Sequence, residues 1–152
     1  AVCPLQAECA ARKENRIREL PVKIKPNPPR SRYFNYLILS DDGRLAMQRR
    51  VAKDIWQNLY EFPLIETPQP VAAAELLHAP QFRETWGGPA RLEAVSGPVI
   101  HQLSHQKIHA QFIRATGVEL PDNQSILWKY PDETEALALP KLISDFLKNY
   151  LS

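Results

Sequence analysis

Apolar positions along the chain follow two periods, and each period predicts one kind of element. Alternating runs rich in β-branched and aromatic residues predict strands at residues 33–40, 44–50, 90–95, 99–103, 107–116 and 125–130. Amphipathic patterns and helical spacing predict helices at residues 71–78 and 139–151, and the short, charged segment 8–20 is also predicted to be helical. Residues 56–66 predict irregular chain that leads into a short strand after Pro63. Strands mixed with two or three helices indicate an α+β fold.

Turn residues between the predicted strands indicate two hairpins. Asp41-Asp42-Gly43 supplies residues that accept the positive φ of a tight turn. Residues 107–116 place Ile108 and Phe112 on one face, so this strand is expected to pair with the strand before it. A second hairpin is therefore predicted, with its tip at residues 103–107.

Three histidines follow each other at four-residue spacing in the second hairpin: His101, His105 and His109. On a helix they would share one face and could hold a metal ion. Pro98 precedes them and the flanking residues alternate, which favours strand, turn and strand, with His105 in or near the turn. We therefore expect no metal site at these histidines.

Charge is unevenly distributed and changes at a proline-rich segment. The chain carries a net charge of +2, but residues 1–32 hold eight basic and three acidic residues, and residues 33–152 hold 11 basic and 14 acidic residues. Four prolines fall within nine positions, at Pro21, Pro26, Pro28 and Pro29. We interpret residues 21–32 as an extended basic connector of polyproline character. Its charge is compatible with a polyanionic partner but does not demonstrate one.

Composition excludes several classes of protein. Of the 152 residues, 44% are hydrophobic and 24% are charged, as in an ordinary globular domain. The longest apolar stretches, such as residues 71–74, are far too short to span a membrane. No basic-then-apolar leader opens the sequence, and two cysteines cannot form a disulfide scaffold. We expect neither secretion nor a membrane partner.

Two short motifs could carry chemistry. Cys3 and Cys9 form a C-x5-C pair whose thiolates could hold a soft metal, although zinc and iron–sulfur sites need four ligands. From spacing alone, free thiols or a local disulfide remain the simpler interpretation. The predicted tip, Leu103-Ser104-His105-Gln106-Lys107, groups a hydroxyl, an imidazole, an amide and an ammonium that could meet a phosphate or a base edge. A solvated polar turn explains the same residues.

A longer run carries a family resemblance. Leu45-Ala-Met-Gln-Arg49, followed by Ile55-Trp-Gln-Asn-Leu-Tyr-Glu-Phe-Pro63, resembles the early part of Nudix domains. Nudix hydrolases continue with a box of the type G-x5-E-x7-R-E-x2-E-E, whose glutamates hold magnesium against a diphosphate. Here Leu64-Ile-Glu66 follows, and the sequence contains no such box. The resemblance implies a Nudix-like α/β/α sandwich with a mixed β-sheet and without Nudix chemistry.

The motifs together resemble one family, the A/G-specific adenine DNA glycosylases of the MutY type. In that family a C-x6-C-x2-C-x5-C iron–sulfur motif ends the catalytic domain, and a connector and a Nudix-like C-terminal domain follow. Cys3 and Cys9, within Cys-Pro-Leu-x3-Cys, match the last two cysteines of the motif, so the preceding cysteine is expected directly before Ala1. His101-Gln-Leu-Ser-His105 resembles the loop that reads 8-oxoguanine, and Leu137-Ala-Leu-Pro140 before the last helix also fits.

The resemblance implies a division of the chain and a function. Residues 1–20 would be the remnant of the cluster segment, 21–32 the connector, and 33–152 the lesion-recognition domain. The domain would read 8-oxoguanine in double-stranded DNA, opposite the adenine that the parent's absent catalytic domain excises. We expect an inactive monomer that binds no intact 4Fe–4S cluster, from a bacterial protein of the cytoplasm and nucleoid. The cluster and the glycosylase activity would belong to the full-length parent.

Site residues carry over to the predicted tip. Ser104 would hydrogen-bond to the damaged guanine, His105 would support the loop, and Leu103 stands where the family has phenylalanine. Gln106, Lys107 and the connector's arginines and lysines would contact phosphates. In 8-oxoguanine N7 becomes a donor, and a hydroxyl that both donates and accepts can match this reversed pattern.

Two alternatives from other classes remain open. The chain could be a degenerate Nudix-type hydrolase of oxidised nucleotides, which the missing glutamates argue against. It could also be a protein-interaction module that recruits a partner through its basic connector.

Overall fold

Two sheets of four strands each form the body of the domain in the computed structural model, which describes residues 4, 7–15, 27–121 and 125–151. The strands are β1 (Arg30–Ile38), β2 (Ser40–Asp41), β3 (Arg44–Arg49), β4 (Tyr60–Glu61), β5 (Leu64–Thr67), β6 (Arg91–Gln102), β7 (Gln106–Thr116) and β8 (Ile126–Lys129). The helices are α1 (Ala10–Lys13), α2 (Ala73–His78), α3 (Pro80–Trp86) and α4 (Lys141–Leu151), with a 3₁₀ helix at Pro131–Ala136.

The first sheet is mixed, with the strand order β5-β1-β7-β6. β1 and β7 run parallel, whereas β5 pairs with β1 and β6 pairs with β7 in antiparallel fashion. In the second sheet β3 pairs with β2, β4 and β8, always antiparallel. Strands in two sheets, joined and covered by short helices, confirm the expected α+β class.

From Phe34 onward both faces of β1 are buried, which explains the nearly continuous apolar run in this part of the strand. Phe34 and Tyr36 face a first core cluster that contains three residues of α4, including Ile143. Leu37 points the other way, into a second cluster with residues of α2 and α3, among them Leu77. Alternate residues of one strand therefore face helices on opposite sides of the sheet. This layering is the Nudix-like α/β/α sandwich expected from the sequence.

The first predicted hairpin is confirmed. Asp42 and Gly43 have φ angles of 50° and 75°, so both occupy the left-handed region that a tight two-residue turn requires. This turn joins β2 to β3, with Asp41 opposite Arg44. α2 and β8 also lie within the predicted segments, and α4 begins one residue after Pro140, whose carbonyl accepts the N–H of Ile143 at 3.0 Å.

The structure corrects the prediction of two strands at residues 90–95 and 99–103. A single strand, β6, runs from Arg91 to Gln102, with its register shifted between Ser96 and Val99. Pro98 cannot donate a backbone hydrogen bond. β6 is an edge strand, however, and has no neighbouring strand on its outer side, so a proline is tolerated there. α3 and the 3₁₀ helix were not predicted.

Two boundaries near the N-terminal end differ from the predictions. β1 begins at Arg30 instead of residue 33, so Arg30 and Arg32 of the predicted connector are strand residues. α1 ends at Lys13, and Asn15 has a φ of 57°, so the helix predicted for residues 8–20 is shorter within the described chain. Residues 16–26 lie outside the described residues. No helix of the described chain is long and apolar enough to cross a membrane.

A buried ion pair joins the ends of β3 and β4. Arg50 Nη1 donates to Glu61 Oε1 at 3.1 Å, and the Tyr36 hydroxyl donates to Glu61 Oε2 at 3.3 Å. Glu61 is only 2% exposed. Burial raises the pKa of Glu61, and the attraction of the Arg50 guanidinium opposes this shift without cancelling it. Burial likewise raises the pKa of Tyr36, so the phenol stays protonated as a donor.

Truncating Phe112 tests the first core cluster. Its ring stacks on Phe146 with centroids 3.9 Å apart and on Tyr36 with centroids 5.4 Å apart. We expect Phe112→Ala to lower the free energy of unfolding by about 3–5 kcal/mol, because a cavity replaces a fully packed ring. Val51→Ala, at a position that is 78% exposed, is the control and should change it by less than about 0.5 kcal/mol. Equal effects in urea unfolding would contradict this packing.

Glu61→Gln tests the buried carboxylate through the pH dependence of stability. Because the pKa of Glu61 is raised on folding, its proton stabilises the folded state at low pH. That contribution is lost as the pH rises from about 4.3, the ordinary pKa of glutamate, through the raised pKa of Glu61 in the folded state. We expect the stability of the wild type relative to Glu61→Gln to fall as the pH rises above about 4.3. Urea unfolding across this range measures the difference, and a constant or rising difference would refute the assignment.

Candidate functional site

The tip of the β6–β7 hairpin is closed by main-chain hydrogen bonds on two sides. The N–H of Leu103 donates to the carbonyl of Gln106 at 2.8 Å, which closes the turn itself. The N–H of Arg30, the first residue of β1, donates to the carbonyl of His105 at 3.0 Å. The parallel pairing of β1 with β7 therefore extends onto the tip and fixes its backbone.

Side chains at the tip divide into one that packs inward and two that face solvent. Leu103 is half-buried and packs against the first core cluster. Ser104 and His105 are exposed, and neither side chain has a partner within the described part of the chain. Lys107 is half-buried and its ammonium is likewise unpaired among the described residues. A hydroxyl, an imidazole and an ammonium are thus available to a ligand.

Two glutamine side chains support the tip from either strand. Gln102 Nε2 donates to the carbonyl of Leu103 at 2.8 Å and lies 3.4 Å from that of Gln106. On β7, the side-chain oxygen of Gln106 accepts a hydrogen bond from Arg32 Nη1 at 3.0 Å. The Gln102 amide therefore bonds to the main chain of the turn, whereas the Gln106 amide bonds to Arg32 in β1.

Arg32 is the centre of an ion-pair network beside the tip. It holds Glu66 in a bidentate pair, with Nε and Nη2 each 2.7 Å from a carboxylate oxygen, and its Nη1 lies 2.5 Å from Asp54 Oδ2. Its side chain is 10% exposed, and its guanidinium lies 4.9 Å from the ring centroid of Phe34. The hydrogen bond to Glu66 is the main cause of a raised pKa for Arg32, so the guanidinium is always charged.

Asp54 joins this network to the buried ion pair of the fold. Its Oδ2 also lies 3.0 Å from Arg50 Nη2, so one carboxylate bridges two guanidinium groups. Desolvation acts to raise the pKa of Asp54, but the backbone N–H of Ile55 and the hydrogen bond from Arg32 outweigh it and lower the pKa. Asp54 therefore stays ionised and ties the loop at residues 50–59 to β1.

The three histidines lie as the strand–turn–strand prediction requires. His101 in β6 packs edge-on against Trp56 with centroids 5.7 Å apart, whereas His109 in β7 stacks on Tyr33 with centroids 4.9 Å apart. His101 pairs with Ile108, so it and His109 point to opposite faces of the sheet. These histidines cannot converge on one metal ion.

Of the two cysteines predicted as cluster ligands, only Cys9 lies within the described residues. Cys9 is a free, half-buried thiol at the N-cap of α1, and Cys3 lies outside the described residues. A four-thiolate cluster needs two ligands more than this sequence contains. The residues present therefore do not fit a complete iron–sulfur site by themselves.

The segment after Pro63, where Nudix hydrolases carry their glutamate box, holds three separated carboxylates. Glu66 in β5 is bound by Arg32, and Glu75 and Glu84 are exposed on α2 and α3. Among the described residues, no group of three or more histidine, cysteine, aspartate or glutamate side chains could hold a metal ion.

The sequence predicts the hairpin and its tip but does not indicate the residues that support the tip. Arg32 was assigned to the connector's phosphate contacts, and Asp54 and Gln102 were not singled out. The partners of Arg32 lie 34 residues away at Glu66 and 74 residues away at Gln106. Such contacts leave no local pattern, and only the strand pairing could have indicated them.

Solved structures with the same fold come from several organisms. The MutT protein from Methanosarcina mazei is 16% identical with a TM-score of 0.62, over 82% of this chain and 96% of that chain. The E. coli ORF135 protein is 18% identical with a TM-score of 0.61, over 82% and 94%. The C-terminal domain of mouse MUTYH, solved in complex with human PCNA, is 19% identical with a TM-score of 0.57, over 80% and 88%.

The sequence also matches a family model directly. The model, described as a NUDIX domain, matches residues 35–149. This range runs from within β1 to within α4 and includes both sheets apart from the first residues of β1. The chain therefore belongs to the Nudix domain family.

Proposed function

We propose that this Nudix domain is the lesion-recognition domain of a MutY-type adenine DNA glycosylase, and that it reads 8-oxoguanine opposite adenine in double-stranded DNA. The observation that carries the proposal is the hairpin tip. Its backbone is held on two sides, while the side chains of Ser104 and His105 face solvent without a partner in the described chain. The likeness to the C-terminal domain of mouse MUTYH is compatible with this function.

The chemistry of the tip suits the lesion. 8-Oxoguanine presents a donor at N7 and a carbonyl at C8, where guanine presents an acceptor and a C–H. The Ser104 hydroxyl can accept from the first or donate to the second. Lys107, whose ammonium has no partner among the described residues, lies next to the tip and is suited to a phosphate. Leu103, packed inward, anchors the tip instead of stacking on a base.

The proposal leaves glycosidic cleavage to another domain. Removal of a flipped adenine needs a carboxylate within reach of the extruded base. We assign that role to the parent's catalytic domain, which would precede residue 1 and complete the 4Fe–4S site of Cys3 and Cys9. The residues of this chain would supply recognition and no chemistry.

Paired binding measurements test the recognition. We expect the chain to bind a duplex with an 8-oxoguanine:adenine pair more tightly than a guanine:cytosine duplex, and Ser104→Ala to reduce this preference about tenfold. Fluorescence anisotropy at low ionic strength gives both dissociation constants. Ser96→Ala, at an exposed position of β6 away from the tip, is the matched control and should preserve the preference. Equal affinities for both duplexes would contradict the proposal.

A second candidate is a degenerate Nudix-type hydrolase of oxidised nucleotides. The MutT proteins among the similar structures favour it, as does a cleft of about 490 Å³ beside the buried ion pair. Five residues with polar side chains line this cleft: Gln48, Arg49, Arg50, Glu61 and Ser125. Glu61 is already bound by Arg50, however, and a diphosphate hydrolase needs clustered carboxylates for its metal.

Hydrolysis assays decide between the two candidates. We expect no magnesium-dependent release of phosphate or pyrophosphate from 8-oxo-dGTP above the rate without protein, because the separated Glu66, Glu75 and Glu84 cannot hold a metal together. Turnover that depends on magnesium and disappears in Glu61→Gln would establish the hydrolase instead.

A further inference from the structure

We propose that Arg32 and Gln106 are positioning residues that hold the hairpin tip in the conformation that reads the lesion. The inference rests on the proposed function and adds to it the residues that determine specificity from behind the tip. Neither residue needs to touch the damaged base. Arg32 is fixed by the carboxylates of Glu66 and Asp54, and Gln106 transmits this fixed position to the turn.

Arg32 is held more firmly than a surface arginine. Its three nitrogens use four of the five N–H groups of a guanidinium, on Glu66, Asp54 and the side chain of Gln106. Bidentate pairing with Glu66 fixes the plane of the group as well as its position. The side chain therefore acts as a rigid support, since rotating the guanidinium out of this plane breaks several bonds at once.

Gln106 connects this support to the turn. Its side-chain oxygen accepts from Arg32 Nη1 at 3.0 Å, and its main-chain carbonyl accepts from the N–H of Leu103 at 2.8 Å. Gln102 and the N–H of Arg30 hold the carbonyls of Leu103 and His105. The frame of the tip is bonded at each of these points, while the side chains of Ser104 and His105 have no partner among the described residues. Such preorganisation lowers the ordering cost of binding.

The same contacts argue against a phosphate contact for Arg32. Its side chain is 10% exposed, and carboxylates on two sides neutralise its charge. A cation that contacts phosphate releases counterions, which steepens the salt dependence of binding. A cation that only positions the tip does not. Salt dependence therefore separates the two roles.

Four variants make the first test. We compare Gln106→Ala and Arg32→Met with the controls Gln81→Ala, exposed on α3, and Arg44→Met, in the first hairpin. For the first two we expect the preference for the 8-oxoguanine:adenine duplex to fall about three- to tenfold, the size of one partly exposed hydrogen bond, with an unchanged salt slope. Gln106→Glu keeps an acceptor for Arg32, so this variant should keep the wild-type preference for the 8-oxoguanine:adenine duplex that Gln106→Ala loses. The inference would be overturned if Arg32→Met kept the preference but reduced the slope of log binding constant against log salt concentration by about 0.9.

Amide hydrogen exchange of the free chain makes the second test and needs no DNA. In Gln106→Ala we expect faster exchange at the N–H groups of Leu103 and Arg30, with unchanged protection at Phe112 in the core. Unchanged exchange at the tip would overturn the positioning role even where the wild type prefers the lesion. Absence of any preference in the wild type would instead overturn the proposed function, and the inference with it. The two failures are thus distinguishable.

Discussion

The parallel pairing of β1 with β7 is the interaction on which the rest of the structure depends. It extends along all nine residues of β1, from Arg30 opposite Gln106 to Ile38 opposite Arg114. Parallel strands in the middle of a sheet must be covered on both faces, and α4 on one side with α2 and α3 on the other provide that cover. Because β7 starts at the hairpin tip, the pairing also places the first residue of β1 against that tip.

The ion-pair network around Arg32 and Arg50 holds loop and turn residues in fixed positions beside the first residues of β1. Arg32 and Arg50 both lie over the ring of Phe34, at 4.9 and 5.4 Å from its centroid, and share Asp54 between them. Replacing a buried ion pair with apolar residues is often neutral for stability, so stability alone is a weak reason for such a network. Its directional bonds position the loop at residues 50–59 and the turn at Gln106 relative to the sheet.

Elements with a local signal could be predicted from the sequence, and those that depend on distant contacts could not. Asp42-Gly43 marks its turn through the backbone freedom of two residues, and the alternation of β7 reflects a face that is buried in the middle of the strand, from Ile108 to Phe112. Gly97-Pro98 interrupts the sequence pattern of β6, and the edge position that tolerates a proline there is known only from the sheet order. α3 carries just two buried side chains, Phe82 and Trp86, too few for a clear helical period.

The candidate site likewise contains residues with a local sequence signal and residues that are recognised only through distant contacts. The tip itself stood out as a cluster of polar residue types, but Arg32 resembled the basic residues before it, and its partner Glu66 lies 34 positions away. The outcome is a Nudix fold in which the segment that carries the hydrolytic glutamates in the enzymes is short of carboxylates. A hairpin at one end of its mixed sheet instead offers polar groups that have no partner in the part of the chain that the structure describes.

Chemical-shift mapping by NMR tests most directly whether this hairpin is the part that reads damaged DNA. The isotope-labelled chain is titrated with a duplex that contains an 8-oxoguanine:adenine pair and, separately, with an undamaged duplex. We expect the shifts that differ between the two titrations to cluster at residues 103–107 and at Arg30, which contacts the tip. Differences centred on the cleft of Arg49, Glu61 and Ser125, or none at all, would contradict the assignment of lesion recognition to the tip.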